Sequence, residues 1–128
     1  PVMTAGDLMS APVLTADVDW RPDKALQYMR ERGISHLPVR AADRLVGLVS
    51  DRDLLVAAPV DATLESVMAK RLLTARPESN LCAVARTMLN ERIHCVLIVS
   101  DACELQGVLT SLDLLGCMTH HAPYEVWG

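Results

Sequence analysis

Two short segments carry the side chains with the most chemical potential. Ser50-x-x-Asp53 and Thr110-x-x-Asp113 each set a hydroxyl three residues before a carboxylate, where an aliphatic strand gives way to a helix. A carboxylate in the first turn of a helix can accept two hydrogen bonds from a vicinal diol, strengthened because the acceptor is charged. The hydroxyl and the nearby helix N–H groups favour an anion such as phosphate. The same spacing is that of a capping box, with Asp where Glu is commoner. The two roles are compatible, because the hydroxyl can cap while the carboxylate faces a ligand.

Basic groups near these segments are few and asymmetric. His36 and Arg52 accompany the first; His94 lies near the second, with Cys95 and Leu112 where the first has His36 and Arg52. Arg30, Arg32, Arg86 and Arg92 read as solvated helix faces. Catalysis finds no support, since the chain has no Gly-x-Ser-x-Gly elbow, no Walker loop and no His-Glu-x-x-His. Cys95 follows His94, but neighbours on a strand point to opposite faces and make no nucleophile–base couple. Cys117, His120 and His121 are a weak metal set near a helix end. The chain therefore reads as neither an enzyme nor a metal carrier.

The two segments belong to a repeat. Gly47-Leu48-Val49-Ser50-Asp51-Arg52-Asp53-Leu54-Leu55 returns as Gly107-Val108-Leu109-Thr110-Ser111-Leu112-Asp113-Leu114-Leu115, an offset of 60 (107 minus 47). Met9 with Met68, Thr15 with Thr74, Met29 with Met88 and Ile34 with Ile93 fall at 59 (68 minus 9). One extra residue in the second copy's turn accounts for the difference. A period near 60 is longer than solenoid or propeller repeats and suits two copies of a small αβ unit. The copies divide the chain at 1–58 and 59–128, with Ala58-Pro59-Val60-Asp61 as the joint.

Composition narrows the class. With 128 residues, 51 % apolar and 22 % charged, the chain is globular and long enough to bury roughly two thirds of its unfolded surface. There is no Phe and aromatics make up 3 %, so the core is aliphatic and base-stacking platforms are missing. A net charge of −4 argues against non-specific nucleic-acid binding. No 18-residue apolar run or signal peptide is visible, which points to the cytoplasm and away from a membrane. Cys82, Cys95, Cys103 and Cys117 show no Cys-x-x-Cys spacing and read as free thiols, several of them buried.

Both copies show one order of elements. In the first, Thr4 and Asp7 cap a short helix, Pro12–Thr15 is extended, and Pro22 opens a helix that Gly33 stops. Strands follow at about His36–Arg40 and Leu45–Ser50, then a helix over Asp51–Ala57. In the second, Thr63 caps a short helix ending near Met68 and Leu72–Thr74 is extended. A helix runs over Glu78–Glu91 with Leu81, Val84, Ala85, Met88 and Leu89 as its apolar stripe. Cys95–Val99 and Leu105–Thr110 are strands, Ser111–Met118 is a helix, and a tail ends at Tyr124–Trp127.

This pattern resembles a tandem pair of CBS domains, the module named after cystathionine β-synthase. The matching residues are Asp7-Leu8-Met9, Val13-Leu14-Thr15, Ile34–Val39 and Gly47–Asp53. In the second copy they are Ser66-Val67-Met68, Leu73-Thr74, Ile93–Val99 and Gly107–Asp113. The resemblance covers about residues 3–118. It implies an α+β (mixed αβ) fold, two β-α-β-β-α repeats packed pseudo-twofold as one module with two clefts between them.

The resemblance also implies a function: a regulatory, non-catalytic sensor of an adenosine-containing ligand (AMP, ADP, ATP or S-adenosylmethionine), with no cofactor beyond that ligand. Asp53 and Asp113 would hold the ribose, and Ser50 and Thr110 a phosphate. Thr15 and Thr74 would touch the nucleotide from the first strand of each copy. The stretch Ile34–Pro38 (Ile34, His36 and Pro38), and its counterpart Ile93–Leu97 in the second copy (Ile93 and His94 among it), would line the adenine slot with aliphatic surface. Leu97 stands where the first copy has Pro38, so the second cleft is expected to prefer a less phosphorylated ligand or to stand vacant. A homodimer is implied; any signal would pass to a separate effector protein, with the Tyr124–Trp127 tail either the contact or a disordered end. The alternative is a structural homodimerisation module with vacant clefts.

Overall fold

The computed structural model describes residues 3–56 and 59–119. The first copy supplies α1 (Ala5–Leu8), β1 (Ala16–Asp17), α2 (Pro22–Arg32), β2 (His36–Ala41), β3 (Arg44–Ser50) and α3 (Asp51–Leu54). The second supplies α4 (Leu64–Val67), β4 (Thr74–Ala75), α5 (Leu81–Glu91), β5 (Cys95–Val99), β6 (Leu105–Thr110) and α6 (Ser111–Thr119). The fold is α+β, with two three-stranded sheets ordered β1-β2-β3 and β4-β5-β6.

Each sheet repeats the other in register. The first strand runs parallel to the second, Ala16 beside Val39 in one sheet and Thr74 beside Leu97 in the other. The second and third strands are antiparallel, and both hairpins carry an irregularity at the same place, Val39/Arg40 and Ile98/Val99. An amphipathic helix covers each sheet. Ala25 and Met29 of α2 pack with Leu37, Val39 and Val49, while Leu81, Val84 and Met88 of α5 pack with Val96, Ile98 and Leu109. Each fully buried Leu or Met stabilises its unit by roughly 1.5–3 kcal/mol.

The chain forms two compact units, and their membership differs from the division at 58/59. One is Leu14–Leu72; the other joins the residues up to Val13 to those from Leu73 onward. Each sheet is therefore completed by the lead-in segment of the other repeat. Ala5 N–H donates to Ser79 O (2.8 Å), and at the matching place Leu64 N–H donates to Trp20 O (2.9 Å). Ser10 bridges Val108, and Ala69 bridges Leu48. Beside those bridges the Met9 side chain lies on Gly107 and the Met68 side chain on Gly47. A Cβ at either glycine would stand 2.8 Å from the methionine Cγ, so only glycine leaves room for this approach.

Several sequence expectations shift. Thr63 holds the N-cap position of α4 without a side-chain cap bond; the Ser66 hydroxyl donates to its carbonyl instead. Helix α5 starts at Leu81, because Asn80 caps it through Ala83 N–H and Ser79 is committed to the lead-in segment. Leu89, placed on the apolar stripe by spacing, is 78 % exposed, one position beyond what the sheet covers. Helix α3 ends at Leu54. Of the four thiols only Cys95 is buried; Cys82 and Cys103 are exposed and Cys117 is half-buried. Ala57, His120, His121 and the Tyr124–Trp127 tail lie outside the described residues.

Candidate functional site

In the Leu14–Leu72 unit, β3 ends in a corner that the sequence closes on itself. Ser50 is still extended (φ −104°, ψ 162°), so its hydroxyl turns back to accept the Asp53 N–H at 3.2 Å. The Asp53 Oδ2 accepts the Ser50 N–H at 2.9 Å, completing a capping box. Asp51 N–H donates to Ser35 O at 3.0 Å, pinning the corner to the segment that enters β2. His36 opens β2 directly opposite Ser50. Ile34 follows the Gly33 cap, its N–H on Met29 O at 3.1 Å, and packs half-buried against the core.

The other unit repeats the backbone bonds of this corner and adds one from the threonine hydroxyl. Thr110 N–H donates to Asp113 Oδ2 at 2.8 Å, the Thr110 hydroxyl donates to the same oxygen at 3.0 Å, and Asp113 N–H donates to Thr110 Oγ1 at 3.3 Å. Ser111 N–H donates to His94 O at 3.0 Å, and Ile93 N–H to Met88 O at 2.9 Å. Cys95, not a histidine, stands opposite Thr110. The capping reading of both motifs thus holds. In both, the cap uses Oδ2, and no described residue donates to Oδ1 of Asp53 or Asp113. One acceptor oxygen per corner is left for an incoming hydroxyl.

The remaining candidates divide by accessibility. Arg52 projects from α3 exposed, while its counterpart Leu112 is 71 % exposed on α6. His94 is exposed, and its Nδ1 lies 3.1 Å from Ser111 Oγ. Since that hydroxyl also reaches His94 O at 3.3 Å, donation to the carbonyl requires Nδ1 to carry the ring proton. Thr15 is half-buried just before β1, and Thr74 is exposed beside Leu97. Pro38 and Leu97 are buried beneath these edges rather than on them. Burial, then the nearby Asp113 charge, pushes the Cys95 thiol up to about 12, so it stays neutral. Thr15, Ile34, His36, Ser50, Arg52 and Asp53 fall in one unit; Thr74, Ile93, His94, Thr110 and Asp113 fall in the other.

Two contributions escaped the sequence. Ser35 and His94 tie the corners through their carbonyl oxygens, which no side-chain pattern reveals. Met9 and Met68 contact the glycines that open the repeated motif; both pairs recur at nearly one offset, but only the fold shows that they touch.

The sequence model of the CBS domain matches residues 5–59 and 64–120. The chain belongs to the CBS domain family. It is similar to the CBS domain pair of protein MJ0100, solved in complex with 5′-methylthioadenosine and S-adenosyl-L-methionine, at 27 % identity and a TM-score of 0.87, covering 95 % of this chain and 100 % of that one. It is also similar to CBSX2 in complex with AMP, at 25 % identity and a TM-score of 0.80, covering 93 % of this chain and 98 % of that one. Among curated relatives, an inosine-5′-monophosphate dehydrogenase of Nitrosopumilus maritimus is 33 % identical over 114 residues, 88 % of this CBS pair and 24 % of the relative. A homoserine O-acetyltransferase of Methanosalsum zhilinae is 27 % identical over 121 residues, 93 % and 25 % respectively. The CBS pair spans about a quarter of the length of these relatives. Among the described residues no helix is long and apolar enough to cross a membrane.

Proposed function

We propose that this CBS pair is a non-catalytic regulatory sensor that binds an adenosine-containing ligand at its two strand-to-helix corners. The observation that carries the reading is the pair of matched capping boxes, each with a carboxylate oxygen left over for a ribose hydroxyl. The ligands of the two similar CBS pairs, AMP in one and S-adenosylmethionine with methylthioadenosine in the other, support this ligand class. The corners differ in charge. His36 and Arg52 suit the first to a phosphorylated ligand (AMP, ADP or ATP). A neutral Cys95 thiol and Leu112 suit the second to a nucleoside with an uncharged or sulfonium substituent. We place the module in the cytoplasm, where exposed Cys82 and Cys103 stay reduced. Leu112, Leu115 and Met118, all more than half exposed on α6, would meet a second copy in a homodimer. A separate effector protein would read the ligand-bound state.

Calorimetric titration with AMP, ATP, S-adenosylmethionine and methylthioadenosine tests this on the wild type and on Asp53→Asn and Asp113→Asn. Asparagine keeps one oxygen for the cap and converts the other acceptor to an NH₂ donor, so the corner survives while the diol contact goes. Binding weakened about tenfold or more in one variant identifies the working corner. Absence of binding by every nucleoside at millimolar concentration would refute the reading and leave a structural dimerisation module.

A further inference from the structure

We propose that Met9 and Met68 are paired oxidation sites that latch the exchanged lead-in segments to the sheets. Each thioether is laid against a glycine of the repeated motif, Met9 on Gly107 and Met68 on Gly47, with no Cβ between side chain and main chain. Beside each notch the backbone is fixed by two hydrogen bonds. Ser10 and Val108 exchange theirs at 2.8 and 3.1 Å, and Ala69 and Leu48 at 2.8 and 3.0 Å. With the backbone held, only rotation of the methionine's own side chain can move the sulfur. Met9 packs against the Leu81–Val96–Leu109 core and Met68 against the Met29–Leu37–Val49 core, yet both stay half-exposed. The residues are thus half-open to a small oxidant, while the notch their sulfurs occupy is closed to added bulk.

A peroxide supplies the chemistry. The thioether sulfur attacks the O–O bond, sulfur gains one oxygen and is oxidised to the sulfoxide, and the peroxide is reduced to water. The new oxygen is polar and needs a hydrogen-bond partner, while the notch offers glycine backbone already committed to the sheet and an aliphatic core behind it. Thioether fits and sulfoxide does not, so oxidation drives the lead-in segment off the sheet. Because each lead-in comes from the opposite repeat, oxidation in one copy loosens the unit built on the other. A thiol-dependent sulfoxide reductase reverses the step, two thiols giving a disulfide and water as the sulfur returns to thioether.

The other four methionines are internal controls. Met118 (68 % exposed) and Met3 (39 %) should oxidise first without effect on unfolding, and Met29 (0 %) and Met88 (4 %) should resist. The experiment is a hydrogen peroxide titration of the whole chain, with peptide mass mapping of each methionine and the thermal midpoint read on the same samples. The expected result is a midpoint that falls by several degrees in step with sulfoxide at Met9 and Met68, and recovers with reductase and dithiol. The Met9→Leu/Met68→Leu variant, close to volume-conserving, should lose that fall. Each single variant should keep about half, so the assignment stands even if the double variant folds poorly. Full oxidation of Met9 and Met68 with an unchanged midpoint overturns the proposal. So does an undiminished fall in either variant, or protection of both residues until the chain unfolds.

Discussion

The two units share their scaffold and the caps at their corners, and differ most in the polarity of the residues around those corners. Kept are the helix-to-sheet contacts of Met29 and Met88, the Gly–Met approaches, the hairpin irregularities and the Ser/Thr-x-x-Asp caps. Changed are His36 for Cys95, Arg52 for Leu112 and Gly33 for Arg92. The helices differ too. In α2, Lys24 Nζ sits 4.3 Å from the Trp20 ring and the Arg32 guanidinium 3.7 Å from the Tyr28 ring, with the two rings edge to face. At the matching positions the second copy carries Ala83, Ser79, Glu91 and Thr87. Core positions differ between the copies only among apolar residues, as Leu37 for Val96 and Val39 for Ile98, whereas His36 for Cys95 and Arg52 for Leu112 change polarity or charge. A duplicated unit can thus offer two chemistries on one backbone.

The strongest test of scaffold equivalence is truncation of the matched methionines. Met29 and Met88 are both buried at the same place on their helices. Each Met→Ala change should lower the unfolding free energy by about 2–5 kcal/mol in chemical denaturation, and the two losses should agree within about 1 kcal/mol. Unequal losses would mean that one unit relaxes around a cavity that the other cannot close, and the shared-scaffold view would fail at its centre.

The segments whose structure is set locally were the easiest to read. Cys95–Val99 and Leu105–Thr110 match their strands to the residue, because aliphatic runs bounded by turn residues leave one period to choose. The Thr4–Asp7, Ser50–Asp53 and Thr110–Asp113 caps are local, encoded within four residues, and all form. What stayed hidden is set by partners far away in sequence. Ser79 is drawn into a lead-in contact with Ala5, which moves the start of α5 to Leu81. The burial of Pro38 and the exposure of Leu89 depend on which sheet face is covered, and spacing alone does not specify that. The exchange of lead-in segments leaves no trace in periodicity, since each copy would look the same with or without it.

A second test uses the chemistry at one corner alone. The folded Cys95 thiol holds its proton to about 12, against an ordinary 9.0, so between those values the unfolded state releases a proton that the folded state retains. Stability is therefore complete below about pH 9 and is lost as pH rises toward 12, at up to about 1.4 kcal/mol per pH unit. Denaturation midpoints at pH 8 and pH 10, compared between wild type and Cys95→Ala, measure this. The variant should lose part of the alkaline slope, and an identical slope would show that burial does not hold the thiol neutral.

The smallest expected effect concerns the turn after each long helix, where the copies differ in residue but not in backbone. Gly33 closes α2 at φ +65°, and Arg92 closes α5 at φ +55°, both left-handed and both passing the next N–H back to the last helical turn. Glycine meets no steric penalty there, while arginine carries a Cβ that crowds its own carbonyl. A Cβ built on Gly33 has nothing within 4 Å, so neighbouring atoms do not decide the outcome and the backbone conformation does. Arg92→Gly should then raise the unfolding free energy by about 0.5–1 kcal/mol, and Gly33→Ala should lower it by a similar amount. Opposite signs from one geometry would locate the difference between the copies in side-chain choice. Equal signs would mean that Arg92 contributes a compensating interaction of its own, and that even this turn has diverged.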